Sequence, residues 1–85
     1  MKVLHVLRSN DDRVAQQMIE EIGRVPDTEQ TLLLMQDGVY IRREGPRVFA
    51  CADDVEARGV STVASLVDYD RIVDMILESD RVMTW

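Results

Sequence analysis

Hydrophobic and polar positions in this chain follow two patterns that alternate along its length. Short, continuous apolar runs are typical of strands buried on both faces, whereas apolar residues at helical spacing are typical of amphipathic helices. The runs predict five strands, which we assign to Lys2–Leu7, Thr31–Met35, Arg47–Cys51, Val63–Val67 and Arg81–Trp85. Because helical segments separate the strands, the strands are expected to pair in parallel. The pattern therefore predicts an α/β fold: a small, open, mainly parallel five-stranded sheet with helices on its faces.

The first helical segment follows a group of capping side chains at Ser9–Asp12 and ends near Gly23, ahead of Pro26. Its apolar positions are Val14, Ala15, Met18, Ile19 and Ile22. The later segment Gln36–Pro46 is short for a crossover between parallel strands. We expect at most a turn or two of helix there, around Val39–Arg42.

Two further helices are predicted in the second half of the chain. The shorter one has Asp53 or Asp54 as its cap, runs through Arg58 and stops at Gly59. The longer one has Asp68 or Asp70 as its cap and an apolar stripe made of Ile72, Val73, Ile76 and Leu77.

Length and composition indicate the number of domains and the class of protein. Residues 1–85 are enough for one domain, and 46% hydrophobic with 31% charged residues is a globular composition. A domain this small buries only about 60% of the surface of its unfolded chain, so an oligomer is expected. No apolar run approaches the roughly 20 residues that span a bilayer, and one unpaired cysteine suits a reducing compartment. We expect a cytoplasmic protein without a membrane segment.

The charge balance bears on the partners. With 10 basic and 16 acidic residues, the net charge is −6, whereas sequence-independent binding of phosphate backbones needs clustered Lys and Arg. The short basic group Arg42, Arg43 and Arg47 is interpreted as a solvated loop. We therefore expect no direct contact with nucleic acid.

The only cysteine, Cys51, ends the third predicted strand and precedes the second predicted helix. Ligands and chemistry collect at the carboxyl ends of strands in an open α/β sheet, and N–H groups at a helix N-terminus favour an anionic sulfur. Free cysteine is also among the most buried residue types and often acts as a small hydrophobe. Both interpretations of Cys51 stay open at this point.

Few other residues carry recognisable chemistry. His5, in the middle of an apolar strand, is interpreted as a hydrogen-bonded core or interface residue, and Asp37 with Gly38 as a turn. One histidine and one cysteine do not make a metal site, and neither standard phosphate-loop spacing occurs. We expect no metal and no organic cofactor.

Several segments, taken in order, nevertheless resemble a known family. They are Leu4–Leu7 with Ser9, Leu32–Tyr40, Val48–Val60, Val67–Tyr69 and Asp80–Trp85. Together they resemble the DsrH/TusB subunits of the sulfur-relay family that also contains DsrE/TusD and DsrF/TusC, and the likeness covers nearly the whole chain.

The resemblance implies a compact α/β subunit that assembles with DsrE/TusD-like and DsrF/TusC-like sister subunits. It also implies a persulfide relay, in which sulfane sulfur arrives from a small carrier protein and passes to a DsrC/TusE-like acceptor. In the Tus branch the sulfur is destined for 2-thiouridine at the tRNA wobble position. In the Dsr branch the relay serves dissimilatory sulfur oxidation.

The resemblance also makes Cys51 the candidate catalytic residue, because the sulfur-carrying cysteine of DsrE/TusD-type subunits precedes an Arg-Gly-Val at the same interval as Cys51 precedes Arg58. We expect the surrounding binding residues to be Asp37, Gly38, Ala52, Asp53 and Arg58. The charges of Asp53 and Asp54 oppose thiolate formation.

Three functional hypotheses follow. In the first, Cys51 takes sulfur from a partner's persulfide. In the second, the chain is a noncatalytic assembly subunit, for example of a Dsr-type sulfur-oxidation complex, and Cys51 is structural. A more remote third is a small-ligand binder that uses the Asp37–Gly38 loop.

Overall fold

The computed structural model describes all residues from 1 to 85, and five strands in it form one sheet. The strands are β1 (Lys2–Leu7), β2 (Glu29–Leu34), β3 (Val48–Cys51), β4 (Ser65–Val67) and β5 (Arg81–Thr84). All four neighbouring pairs run parallel, in the order β4-β3-β2-β1-β5. The predicted α/β fold with an open parallel sheet is confirmed.

Three α-helices and one short 3-10 turn connect the strands. The helices are α1 (Arg13–Gly23), α2 (Ala52–Arg58) and α3 (Tyr69–Glu78), and the 3-10 turn spans Gln36–Tyr40. None of the helices has both the length and the apolar character needed to cross a bilayer.

The two sheet faces carry separate hydrophobic clusters. On one face α1 and α2 pack on the sheet, and this cluster consists of Leu7, Ala15, Ile19, Leu32, Leu34, Val39, Val48, Ala50, Val55 and Ala64. On the other face α3 packs alone, and this cluster consists of Leu4, Val6, Leu33, Cys51, Val67, Ile72 and Met75. Because successive strand residues point to opposite faces, each continuous apolar run supplies both clusters.

The ends of the helices follow from local chemistry. The side chains of Asp12 and Asp68 accept backbone N–H bonds from Ala15 and Arg71, each at 2.9 Å, as N-cap residues do. Gly59, at φ 60°, closes α2 in the left-handed conformation that glycine adopts without strain. Gly23 ends α1 without a positive φ, because Arg24 continues in right-handed geometry.

Several predicted boundaries were wrong. The N-cap residue of α2 is Cys51, so Asp53 and Asp54 lie inside the first turn of the helix. Their negative charges stabilise the helix there by interacting favourably with its dipole. The connecting turn begins at Gln36, three residues before the predicted position, because only Met35 separates it from the end of β2. At β4, Val63 lies outside the strand and is exposed.

The apolar stripe predicted for α3 is only partly buried. Ile72 and Met75 pack on the sheet, whereas Val73, Ile76 and Leu77 are exposed. The reason is geometric, since a single helix resting on a sheet face buries a narrower arc than its apolar residues cover.

One polar chain crosses the core beneath α1. The indole N–H of Trp85 donates to Nδ1 of His5 at 3.1 Å, and Nε2 of His5 donates to Oε1 of Gln30 at 2.7 Å. The amide nitrogen of Gln30 then donates to the carbonyl of Ile19 in α1 at 3.0 Å. The expectation that His5 is a hydrogen-bonded core residue is confirmed.

Candidate functional site

The candidate site lies at the junction between the end of β3 and the start of α2, and Cys51 is the last residue of β3. Its backbone is extended, with φ −64° and ψ 117°, and the next residue begins the helix. Its side chain points to the α3 face and packs in the cluster that contains Leu33, Val67 and Ile72. Only 1% of Cys51 is exposed, so the sulfur is enclosed by apolar side chains.

Tyr69, the first residue of α3, is the polar neighbour of this thiol. Tyr69 lies two residues after Val67, which pairs with Cys51 in the β3–β4 register, and half of the tyrosine is exposed. The proximity of Cys51 raises the pKa of the Tyr69 phenol above its usual value, and the negative charges of Asp54 and Asp53 act in the same direction.

A group of charged side chains ties α2 to the 3-10 turn beside this position. Asp54 is central: its Oδ2 accepts the backbone N–H of Gln36 at 2.8 Å, and its Oδ1 lies 3.7 Å from Nη1 of Arg58. Nε of Arg58 also donates to Oδ1 of Asp37 at 3.1 Å. Gln36 has φ 51°, a conformation that non-glycine residues rarely adopt, and the bond from Asp54 helps to hold it there.

Gly38 lies in the same turn and is buried against the end of β1. A Cβ atom built on it would lie 1.9 Å from the carbonyl oxygen of Leu7, so no side chain fits at this position. The amide of Met35 donates to the same oxygen at 3.0 Å. The turn thus sits directly on β1, and glycine is required by close packing of the backbone.

The predicted binding residues fall into two groups. Asp37 and Arg58 come together as an ion pair, and Gly38 lies in the turn that carries Asp37. Ala52 and Asp53 form the first turn of α2 directly after Cys51, with Asp53 exposed.

Three residues that take part in this arrangement were not among the predicted binding residues. They are Gln36, Asp54 and Tyr69. Asp54 could have been found, because a carboxylate four residues before an arginine is a recognised helix pair. The partnership of Tyr69 with Cys51 depends on sheet order, which brings the end of β4 beside the end of β3, and no local signal reports it.

The chemistry available at this position follows from burial and charge. A reactive thiol needs access to solvent and positive charge nearby, because the thiolate is the nucleophile. Here the sulfur is covered, two carboxylates follow it, and the guanidinium of Arg58 is engaged by Asp37 and Asp54. The site therefore keeps the Cys51 thiol buried, and its charged side chains hold the 3-10 turn in place beside α2. No three histidine, cysteine or carboxylate side chains lie close enough together to hold a metal ion.

Comparison with solved structures identifies proteins of the same fold. The E. coli ychN protein superimposes with a TM-score of 0.71 over 100% of both chains at 16% identity. Protein Tm0979 from Thermotoga maritima superimposes with a TM-score of 0.61 and 26% identity, over 91% of this chain and 92% of its own. No curated protein sequence is significantly similar to this chain.

Comparison with protein families gives a more specific result. The family described as DsrH like protein matches residues 13–82, from the start of α1 into β5. This range includes the β3–α2 junction and the whole charged group around Asp54. The chain therefore belongs to the DsrH-like family of sulfur-relay subunits.

Proposed function

We propose that this chain is a subunit of a cytoplasmic persulfide-relay complex that supports 2-thiolation of the tRNA wobble uridine. The observation that carries the proposal is membership of the DsrH-like family over residues 13–82. The acidic charge of −6 agrees with transfer of sulfur between proteins, in which partners and not this chain touch the tRNA.

Within that complex the chain completes an assembly with DsrE/TusD-like and DsrF/TusC-like sister subunits, beside a DsrC/TusE-like acceptor. Exposed large hydrophobic residues support such an assembly, because they occur on both faces of the isolated chain. Examples are Val14 on α1 and Leu77 on α3, which are 63% and 78% exposed. Apolar surface of this kind is stabilised when a partner covers it.

In this proposal a sister subunit carries the sulfur, and Cys51 is a structural core residue. Two properties of the site support that division of roles. The thiol is only 1% exposed, and the carboxylates of Asp53 and Asp54 follow it in the first turn of α2. Buried cysteines in such surroundings are inert.

A second candidate gives Cys51 a direct role in transfer. Its thiolate attacks the outer sulfur of a partner's persulfide, the bond between the two partner sulfurs breaks, and the partner leaves as a thiolate. The acceptor's thiolate then attacks the outer sulfur held on Cys51, the bond between that sulfur and the Cys51 sulfur breaks, and Cys51 leaves as a thiolate. The position of Cys51 at the carboxyl end of β3, beside the half-exposed Tyr69, favours this candidate.

Deletion of the gene in its native host, followed by mass spectrometry of the tRNA nucleosides, tests the proposal. We expect the wobble 2-thiouridine to fall on deletion and to return with the wild-type chain. If the thiouridine is unchanged while oxidation of stored sulfur stops, the chain serves a Dsr-type sulfur-oxidation complex instead.

The same strain distinguishes the two roles of Cys51. Cys51→Ala keeps the pocket apolar, so it is the appropriate variant for a buried thiol. Ile19→Val, at a buried residue on the opposite face of the sheet, is the control, because it also removes one heavy atom from the core. Full restoration of the thiouridine by both variants supports the assembly role. Loss with Cys51→Ala alone, at equal amounts of assembled complex, supports sulfur transfer through Cys51.

A further inference from the structure

Helix α3 carries more apolar surface than the sheet beneath it covers. Ile72 and Met75 are each 5% exposed and hold the helix on the sheet. Val73, Ile76 and Leu77 stand three and four positions apart and therefore share one face of the helix, which is exposed. On the opposite flank, Arg71 pairs with Glu78 at 3.3 Å, so the exposed apolar residues lie on one side only.

Arg71 and Glu78 line a cavity together with Glu29 and Phe49, on the β2–β3 side of the sheet, so the opposite, apolar flank of α3 is the one nearer the β5 edge. Val82 in β5 stands opposite Leu4 in the parallel register, so its side chain lies on the sheet face that α3 covers. Val82 is 41% exposed, and no strand lies beyond β5. We call Val73, Ile76, Leu77 and Val82 the α3–β5 patch.

Two unpaired carboxylates border this patch. Asp70 precedes Val73 by three positions, and Asp74 precedes Leu77 by three positions, so both lie beside the apolar face. Neither aspartate takes part in a salt bridge within the chain. The surface therefore has an apolar centre and an acidic rim whose charges are available to a partner.

The acidic rim indicates which kind of partner binds the α3–β5 patch. Two copies of the chain related by a twofold axis would bring the same aspartates together, and like charges at an interface oppose association. An anionic lipid surface attracts Lys and Arg, which the patch lacks. A protein surface with an apolar centre and a Lys/Arg rim is complementary to both features.

We infer that the α3–β5 patch is the surface through which this chain docks onto a sister subunit of its relay complex, and that the sister contributes an apolar centre with basic residues at its rim. This inference rests on the proposed function. It adds which face of the chain is buried in the complex and what chemistry the partner surface has.

The test uses the chain co-expressed with its DsrE/TusD-like and DsrF/TusC-like sister subunits, and measures complex formation by light scattering and by titration calorimetry of the purified partners. Leu77→Lys places a cation at the centre of the patch near the C-terminus of α3, where a positive charge suits the helix dipole. We expect it to weaken the complex by about 30-fold or more, as interface centres do. Val25→Lys, at an exposed valine just after α1, is the matched control and is expected to bind normally.

A charge variant tests the rim separately. Asp74→Lys is expected to slow association and to reduce its sensitivity to salt, whereas Glu20→Lys on α1 leaves both unchanged. Circular dichroism of each variant verifies that the monomer is folded.

The possible outcomes separate the two claims. If the wild-type chain does not bind the sister subunits, the proposed function fails and the inference fails with it. If the wild-type chain binds and Leu77→Lys binds equally well, the relay function stands and the patch is not the docking surface. Homodimerisation that Leu77→Lys abolishes would also overturn the inference, because the occupant would then be a second copy.

Discussion

The indole N–H of Trp85 donates a hydrogen bond to Nδ1 of His5, and this one contact fixes the protonation state of the buried ring. An indole nitrogen can only donate, so Nδ1 must accept and the proton of the neutral imidazole must lie on Nε2. From there the bond to Gln30 runs in the same direction. Residues at the two ends of the sequence are thus joined through a neutral histidine.

This arrangement predicts a dependence of stability on pH. Burial lowers the pKa of His5 below its usual value; the charge of Arg43 adds to this shift, and the bond with Gln30 opposes it. On acidification through about pH 6.5 the imidazole of the unfolded chain takes up a proton while that of the folded chain stays neutral, so the free energy of unfolding decreases. Above that pH the contribution is complete.

Urea denaturation at pH 7.5 and 5.5 measures this effect. Because many carboxylates also titrate in acid, His5→Gln provides the non-titrating reference, and the difference between wild type and variant should shrink as the pH falls. A proton NMR titration of the single histidine supplies an independent measurement. A His5 pKa at or above the usual value would contradict the prediction.

Trp85→Phe tests the donor itself. The variant keeps an aromatic ring but leaves Nδ1 of the fully buried His5 without a partner. An unsatisfied buried acceptor costs about 1–3 kcal/mol, and the lower pH limit of stability should rise accordingly. Tyr40→Phe, at an exposed tyrosine, should change the free energy of unfolding by less than about 0.5 kcal/mol. Equal stability of the two variants would show that the bond contributes nothing.

The strands and the parallel class were predictable from the sequence, because doubly buried strands such as Lys2–Leu7 have a distinctive composition. The extent of burial on α3 was not. Val73 and Leu77 look like core residues in the sequence, and only the absence of a second helix on that sheet face leaves them exposed. Periodicity reports which side of a helix is apolar but not how much of that side a neighbour covers.

The position of the site was predictable from the sequence, but the burial of its cysteine was not. The end of β3 was correctly identified as the place where Cys51 meets a helix, because that junction is local in sequence. Its enclosure by Leu33, Val67 and Ile72 comes from three separate elements and depends on the order of the strands. The exposure of a side chain at a strand end is a tertiary property that a local motif does not encode.

Gly38→Ala tests the close approach between the 3-10 turn and β1. The new Cβ would overlap the carbonyl oxygen of Leu7, so the backbone must move, and we expect a loss of about 3 kcal/mol in the free energy of unfolding. Gly59→Ala meets no atom within 4 Å, but it places alanine at φ 60°. That change should cost about 1 kcal/mol. A larger effect at Gly59 than at Gly38 in urea denaturation would contradict this assignment.

Asp54 should contribute more to the free energy of unfolding than Asp37, whose carboxylate is more exposed to solvent. Asp54→Ala removes the acceptor of the Gln36 N–H together with the ion pair to Arg58, which predicts a loss of about 1.5–3 kcal/mol. Asp54→Asn retains one acceptor oxygen and should lose less. Asp37→Ala removes a contact whose carboxylate is 65% exposed, so its effect should stay below about 1 kcal/mol. Chemical denaturation of the three variants orders them, and an Asp37→Ala loss above that of Asp54→Ala would reverse the interpretation.

The last prediction concerns access to Cys51. A thiol that is 1% exposed reacts only when the fold opens locally, so alkylation by iodoacetamide should be at least about 100-fold slower in the native chain than in urea. Tyr69→Ala removes the side chain that begins α3, two residues after the Val67 that pairs with Cys51, and should accelerate the native reaction. Tyr40→Ala is the matched control at another exposed tyrosine and should not. Mass spectrometry of the alkylated chain follows all three rates. A native rate equal to that in urea would show that the thiol is open to solvent, and the structural role of Cys51 would then give way to sulfur transfer through it.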